Sequence, residues 1–126
     1  MSLDIVEHES PIERKDTLQS VEEVVEAFAD RFLVDKYLRM QRQSLGAGDD
    51  LIELLAEQIP EVIIPFTEAL AGREAASHRE YAVYQLRHVH KIDPAASRRI
   101  GEILIQDQKP SIRRHAQTWK MLLEDD

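Results

Sequence analysis

The apolar residues of this chain recur three and four residues apart along most of its length, and no segment alternates between apolar and polar residues. This spacing places the apolar side chains on one face of an α-helix, whereas a strand would need a repeat of two. Prolines and glycines divide the pattern into segments with short connections, which favour antiparallel neighbouring helices. The sequence therefore predicts an all-α protein with about seven helices.

The first helix is predicted to change its apolar face part-way along. Ser20 and Glu23 form a capping box at its start. Beyond Phe32 charged residues continue the first stripe, and a second stripe begins at Val34 on a different side. One straight helix cannot bury both stripes, so we expect a kink or break near residues 33–35. The first stripe contains Val21, Val24, Val25, Phe28 and Phe32.

Glycine, proline and capping residues mark the other helix boundaries. Residues 46–48 are a stop signal, after which Asp49 or Asp50 is expected to cap the next helix. Pro65 is expected to bend its helix or delay its start, because proline has no N–H to donate. The remaining starts are predicted at Pro60, at Asp93 with Pro94, and at Ser111 after Pro110.

A shift of 34 residues superimposes the predicted helices on one another. Two helix types alternate, one at 49–58, 76–92 and 111–124 and the other at 60–71 and 94–107. A period of this length is typical of helical solenoids, although an antiparallel bundle of equal helices is the alternative. The shift pairs Pro60 with Pro94, Phe66 with Ile100, Leu70 with Leu104, Arg79 with Arg113 and Ala82 with Ala116.

Two stretches resemble the HEAT-like family of α-helical repeats. Residues 59–70 are similar to the second helix of the repeat, and residues 107–116 to the turn between repeats and the next first helix. The resemblance covers residues 49–124 and implies a right-handed superhelical stack of antiparallel helix pairs, an α-α solenoid. HEAT-like proteins are mostly scaffolds that bind partners along a stacked surface; some relatives bind DNA and others act in bilin attachment. The resemblance carries over no catalytic residue.

The composition suggests one folded domain and an acidic arm. Residues 1–16 are expected to be a flexible arm, and residues 17–126 a single helical domain in which 17–45 cap the repeats of 49–124. The chain has no cysteine, which excludes disulfides and thiol chemistry. It shows no secretory signal and no apolar run near the roughly 20 residues that cross a bilayer, so we expect a cytoplasmic protein.

No combination of residues indicates catalysis, a cofactor or a metal. His88 and His90 are two apart, so on a helix they point in nearly opposite directions. His78 and His115 are interpreted as interior or boundary histidines held by hydrogen bonds. The chain contains no phosphate-binding glycine motif and no nucleophile elbow. We therefore predict a protein that is not an enzyme.

The distribution of charge is the best functional clue in the sequence. Residues 1–72 contain 16 acidic and 6 basic side chains, whereas residues 73–120 contain 5 acidic and 10 basic ones. The basic residues could form one patch that binds a partner, or a solvated rim paired with nearby carboxylates. The acidic arm could also cover the patch. The candidate partner-binding residues are Tyr84, Arg87, Lys91, Arg98, Arg99, Lys109, Arg113 and Arg114.

Three functions remain open at this point. The first is a non-catalytic module or small adaptor that binds a protein with an acidic segment. The second is a nucleic-acid-binding protein that uses residues 73–120, although the net charge of −8 disfavours it. The third is an accessory subunit of a lyase-type enzyme. A homodimer is also conceivable, because Met121 and Ile105 point away from the main apolar arcs of their helices.

Overall fold

The computed structural model describes Glu23, residues 25–44 and residues 46–124, and in these ranges all regular structure is helical. The all-α prediction is therefore confirmed there, and six α-helices lie wholly within the described residues. The arm at 1–16 and the Ser20 cap lie outside the described residues. No described helix is both long and apolar enough to cross a membrane. The elements are a π-helix at Ala29–Leu33, α1 (Val34–Gln43), α2 (Ala47–Gln58), a 3-10 turn at Pro60–Val62, α3 (Ile63–Ala71), α4 (Ala76–Ile92), α5 (Pro94–Leu104) and α6 (Pro110–Glu124).

The π-helix replaces the expected break. Residues 25–28 are helical and lead into Ala29–Leu33, where the N–H of Val34 donates to the carbonyl oxygen of Ala29. The backbone stays in the right-handed helical region at the junction, so α1 follows at once. The helix is therefore not broken near 33–35; the π-helix that ends at Leu33 moves the apolar face to a new side instead.

Val25 packs partly against the core as predicted, but beyond it the buried stripe lies one residue later than the predicted one. Ala29 and Leu33 are buried, whereas Phe28 is 45% and Phe32 67% exposed. The two exposed rings stack with their centroids 6.0 Å apart. The π-helix packs on α3, and a small residue such as Ala29 lets two helices approach more closely than a phenylalanine would. Packing against α3 therefore determines which stripe of this helix is buried.

The helix α2 begins earlier than its aspartates predicted. Gly46 occupies the N-cap position with a φ of 88°, a conformation that glycine adopts without strain. Asp49 and Asp50 lie in the first turn instead of at the cap. Gly48 is buried, and its N–H donates to Oε1 of Gln41 at 2.8 Å. The second glycine is thus a contact between α1 and α2.

A buried polar cluster joins α1, α2 and α4. The hydroxyl of Tyr37 donates to Oδ1 of Asp49 at 3.0 Å and accepts from Nε2 of Gln85 at 3.2 Å. The ring is fully buried and meets Phe66 and Tyr81 edge-on, with centroids 5.3 and 5.4 Å away. Burial, and then the charge of Asp49, raise the pKa of Tyr37 above its ordinary value. The phenol therefore stays a hydrogen-bond donor.

Proline delays the start of α3 as the sequence predicted. A 3-10 turn at Pro60–Val62 precedes the helix, which begins at Ile63. Pro65 lies in the first turn, where its missing N–H removes no helical hydrogen bond.

The boundaries of α5 and α6 agree in part with the prediction. Oδ1 of Asp93 accepts from the N–H of Ala95 at 3.1 Å, so this residue caps α5 as expected. The helix ends at Leu104, three residues before the predicted end, and α6 begins at Pro110 instead of after Ser111.

Helix α4 lies at the centre of the packing. It contacts α3, α5 and α6, and α3 also contacts α5. At the N-terminal side α1 packs on α2, and the π-helix packs on α3. The core combines aliphatic side chains from every helix with Tyr37 and Phe66. The central position of α4 explains why it has the most buried residues.

The turn between α5 and α6 is held by a buried ion pair. Nε and Nη2 of Arg79 lie 2.6 and 3.1 Å from the two carboxylate oxygens of Asp107, and both side chains are at most 10% exposed. Asp107 also accepts from the N–H of Lys109 at 2.9 Å. Nη1 of Arg79 donates to the carbonyl oxygens of Arg73 and Glu74. The hydrogen bond from Arg79 lowers the pKa of Asp107 below its ordinary value.

Several positions 34 residues apart have matching environments. Nη1 of Arg79 donates to the carbonyl oxygen of Arg73 at 3.1 Å, and Nη1 of Arg113 donates to that of Asp107 at 2.7 Å. In both cases the donor follows its acceptor by six residues. Ten described pairs with this separation are buried at both positions: Ala29 and Ile63, Leu33 and Thr67, Gly48 and Ala82, Ile52 and Leu86, Val62 and Ala96, Ile63 and Ser97, Phe66 and Ile100, Thr67 and Gly101, Leu70 and Leu104, and Ala82 and Ala116.

Candidate partner-binding surfaces

The eight residues predicted to bind a partner are spread over three helices and the turn before α6. The structure brings Arg87 and Lys91 together in one groove and places the other basic residues elsewhere. Tyr84, Arg87 and Lys91 lie on α4, Arg98 and Arg99 on α5, Lys109 in the turn, and Arg113 and Arg114 on α6.

The groove between α2 and α4 is lined by charges of both signs. Arg87 and Lys91 stand one turn apart on α4, and Glu53 and Glu57 stand one turn apart on α2. The groove has a volume of about 340 Å³. Within the described ranges none of these four side chains has an oppositely charged group within 4.0 Å. Two acids and two bases therefore face one shallow space without pairing.

His88 also lines this groove and is almost buried. It is 7% exposed. Burial lowers its pKa below the ordinary value, and the positive charges of Arg87 and Lys91 act in the same direction. Glu53 and Asp49 oppose the shift more weakly. At neutral pH His88 is therefore an uncharged imidazole, able to donate one hydrogen bond and accept another.

Arg98 belongs to a separate groove between α5 and α6. Lys120 and Glu124, from the last turns of α6, line the same groove. Beside them Nδ1 of His90 and Oγ of Ser97 lie 2.9 Å apart. This surface also mixes basic residues with a carboxylate.

Arg99 is paired across the boundary of α3 and α5. Its Nη2 lies 2.8 Å from Oε2 of Glu68. Next to this pair an apolar cavity of about 190 Å³ is lined by Ala71, Ile100 and Ile103. The exposed pair is a weak contact that a partner could displace.

Lys109, Arg113 and Arg114 surround the start of α6. Arg113 braces the turn by donating to the carbonyl oxygen of Asp107, whereas Lys109 and Arg114 are exposed. Seven residues, or roughly 10 Å of helix, separate Arg113 from Lys120 in the Arg98 groove. The basic residues at the start of α6 thus have different neighbours from Arg98 and Arg99.

Tyr84 belongs to a cluster that the sequence did not indicate. Its ring meets His115 edge-on, with centroids 4.8 Å apart. Nδ1 of His115 lies 3.1 Å from Oε2 of Glu80, and Nε2 accepts from Nε1 of Trp119 at 3.1 Å. The indole can only donate, so Nε2 carries the lone pair and Nδ1 the proton. The interpretation of His115 as a boundary histidine held by hydrogen bonds is confirmed. Its partner Glu80 could not be predicted from local spacing, because the two residues are 35 apart in the sequence.

In the described part of the chain no group of three histidine, aspartate or glutamate side chains could hold a metal ion. No protein-family model, curated protein or solved structure matches the chain.

Proposed function

We propose that this chain is a non-catalytic protein–protein interaction module, built as a short HEAT-like stack of antiparallel helix pairs. The stack is supported by the matching environments of residues 34 apart, above all the carbonyl contacts of Arg79 and Arg113. It is also supported by the neighbours in space, since α3 contacts α5 and α4 contacts α6 while consecutive helices contact each other. In an α-α solenoid each helix contacts its equivalent in the next repeat.

The binding role rests on the groove between α2 and α4. Its two acidic and two basic residues face the same space without an ion pair among the described residues. A partner segment that carries both signs of charge would complement both walls, and the imidazole of His88 could hydrogen-bond to its backbone. The sequence alone suggested a partner with an acidic segment. We propose a segment with both signs of charge instead, because Glu53 and Glu57 would repel acidic residues on their side of the groove.

A protein partner fits this surface better than a nucleic acid. Phosphate backbones need a continuous basic face, whereas carboxylates accompany Arg87, Arg98 and Arg99 in their respective places. An accessory role in a lyase has no specific observation in its favour. The cytoplasmic location stays a prediction from the sequence.

The proposal can be tested by selecting peptides from a displayed random library on the immobilised protein. We expect the selected segments to contain both acidic and basic residues. Their affinity should fall by at least about tenfold in the variant Arg87→Glu with Lys91→Glu, since two attractions become repulsions. The control is Arg39→Glu with Arg42→Glu, which reverses two exposed charges on α1 and should leave the affinity unchanged.

Three results would contradict the proposal. The first is a set of selected peptides that bind both variants as tightly as the wild type. The second is DNA or RNA affinity at low salt that falls steeply as salt is added, which is the signature of phosphate contacts. The third is turnover of any substrate by the purified protein.

A further inference from the structure

One face of α6 is exposed, whereas its equivalent on α4 is covered in part. Val83 and His88 of α4 are buried. The residues 34 positions later, Gln117 and Leu122, are exposed. On the same side of α4, Glu80 and Tyr84 contact His115 of α6. Between Val83 and His88, Tyr84 and Arg87 of α4 are exposed, as are their equivalents Thr118 and Met121 of α6, so the two faces differ at Gln117 and Leu122.

The exposed face of α6 is apolar towards its C-terminal end. Met121 is 67% and Leu122 53% exposed, and with Gln117 and Thr118 they occupy one side of the helix. Of the two residues expected to leave the main arcs, Ile105 instead packs partly against the core. Exposed large apolar side chains grouped on one helix face are typical of an interaction surface.

The two ends of this face carry opposite charges. Arg114 is exposed in the first turns of α6, and Glu124 is exposed at its end. Neither residue has an ion-pair partner among the described residues. If a second α6 with the same sequence lay antiparallel to the first, Glu124 of each helix would lie opposite Arg114 of the other.

We propose that the exposed face of α6, which consists of Arg114, Gln117, Thr118, Met121, Leu122 and Glu124, packs on the same face of a second copy of this chain. The two α6 helices lie antiparallel across a two-fold axis near Thr118 and Met121. Met121 and Leu122 of each copy then cover Gln117 and Thr118 of the other, and Arg114 of each copy pairs with Glu124 of the other. Such an isologous contact closes on itself and forms a dimer.

The dimer is expected to be weak and reversible. Helix α6 has 15 residues and is therefore about 22 Å long. One pair of helices of this length buries less surface than the roughly 1,200–2,000 Å² of a stable interface. The monomer and dimer should therefore exchange within the micromolar to millimolar range. This interface does not involve the groove between α2 and α4. A failure to dimerise would therefore leave the proposed function untouched, and the reverse also holds.

Sedimentation equilibrium over a range of concentrations tests the proposal on the full chain. The wild type should dimerise, and Met121→Glu with Leu122→Glu should be monomeric throughout. The matched control is Ile103→Glu, which changes an apolar residue of α5 that is 59% exposed and should leave the dissociation constant unchanged. Circular dichroism establishes that all the variants are folded.

Charge reversal tests the antiparallel pairing directly. Arg114→Glu and Glu124→Arg should each weaken the dimer by about tenfold, because each change affects two symmetry-related pairs. Both changes in one chain should restore the wild-type dissociation constant, since the exchanged charges again attract. A wild type that stays monomeric at millimolar concentration would overturn the proposal. So would a dimer that survives Met121→Glu with Leu122→Glu, or a double charge reversal that restores nothing.

Discussion

Replacing Gly48 by alanine should destabilise this protein, although the same change usually stabilises a helix. An added Cβ at Gly48 would lie 2.7 Å from Cδ1 of Tyr37, 2.8 Å from Cγ of Gln41 and 2.9 Å from Oε1 of Gln41. The Tyr37 ring cannot retreat easily. It is fully buried between Phe66 and Tyr81, and its hydroxyl is bound to Asp49.

The free energy of unfolding depends on two opposing effects. Alanine is favoured over glycine inside a helix by about 1 kcal/mol. Overpacking a well-filled core costs about 1–3 kcal/mol, and a shift of the ring would weaken its hydrogen bond to Asp49, worth about 1 kcal/mol. The unfavourable effects are larger, so we expect Gly48→Ala to lower the free energy of unfolding by about 1–3 kcal/mol.

A second glycine provides the matched control. Gly101 lies inside α5, and the nearest atom to an added Cβ is Cδ1 of Leu86 at 4.0 Å, an ordinary contact. Gly101→Ala should therefore raise the free energy of unfolding by about 1 kcal/mol. Urea denaturation followed by circular dichroism measures both variants. If Gly48→Ala is as stable as Gly101→Ala, the close approach of α1 and α2 at Gly48 has no energetic weight and the reasoning fails.

Replacing Asp107 by asparagine leaves the buried guanidinium of Arg79 without its counter-charge. The free energy of unfolding, measured by urea denaturation, should therefore fall by about 3 kcal/mol. A loss of less than about 0.5 kcal/mol, as for a neutral surface change, would contradict the structural role of the pair. The pKa of Asp107 is lowered in the folded protein, so the pair stabilises the fold above the ordinary carboxyl pKa of about 3.9 and loses that contribution as the pH falls through the lowered value. In acid titrations the wild type should therefore lose stability more steeply than Asp107→Asn, and parallel curves would argue against this linkage. Replacing His115 by leucine removes the acceptor for Nε1 of Trp119, the single tryptophan of the chain, so the tryptophan emission should change; an unchanged emission spectrum would argue against this hydrogen bond.

The positions of most helices follow from local sequence. Apolar spacing, together with Asp93 before Pro94 and Pro65 after Pro60, located α3, α4 and α5 to within a few residues. These signals are local because a helix forms its hydrogen bonds between residues four apart, and capping groups act within one turn. The correspondence of residues 34 apart was visible for the same reason, since it requires only the comparison of neighbouring segments.

The choice of buried face in the first helix needed the tertiary structure. Phe28 and Phe32 are more hydrophobic than Ala29, yet Ala29 is buried and the phenylalanines are exposed. A π-turn changes the angular register by an amount that a period of 3.6 does not predict. The face that is buried is decided by how closely α3 can approach, which depends on the shape of both helices.

The sequence by itself determined that this protein is helical, where most of its helices lie, and which section of it is basic, because each of these follows from residue types and short-range spacing. Only the tertiary structure decided that Arg79 pairs with Asp107, that His115 pairs with Glu80, and that Arg87 and Lys91 share a groove with Glu53 and Glu57. Partners 28 or 35 residues apart meet through the packing of helices, and that packing is set jointly by all the side chains in the core.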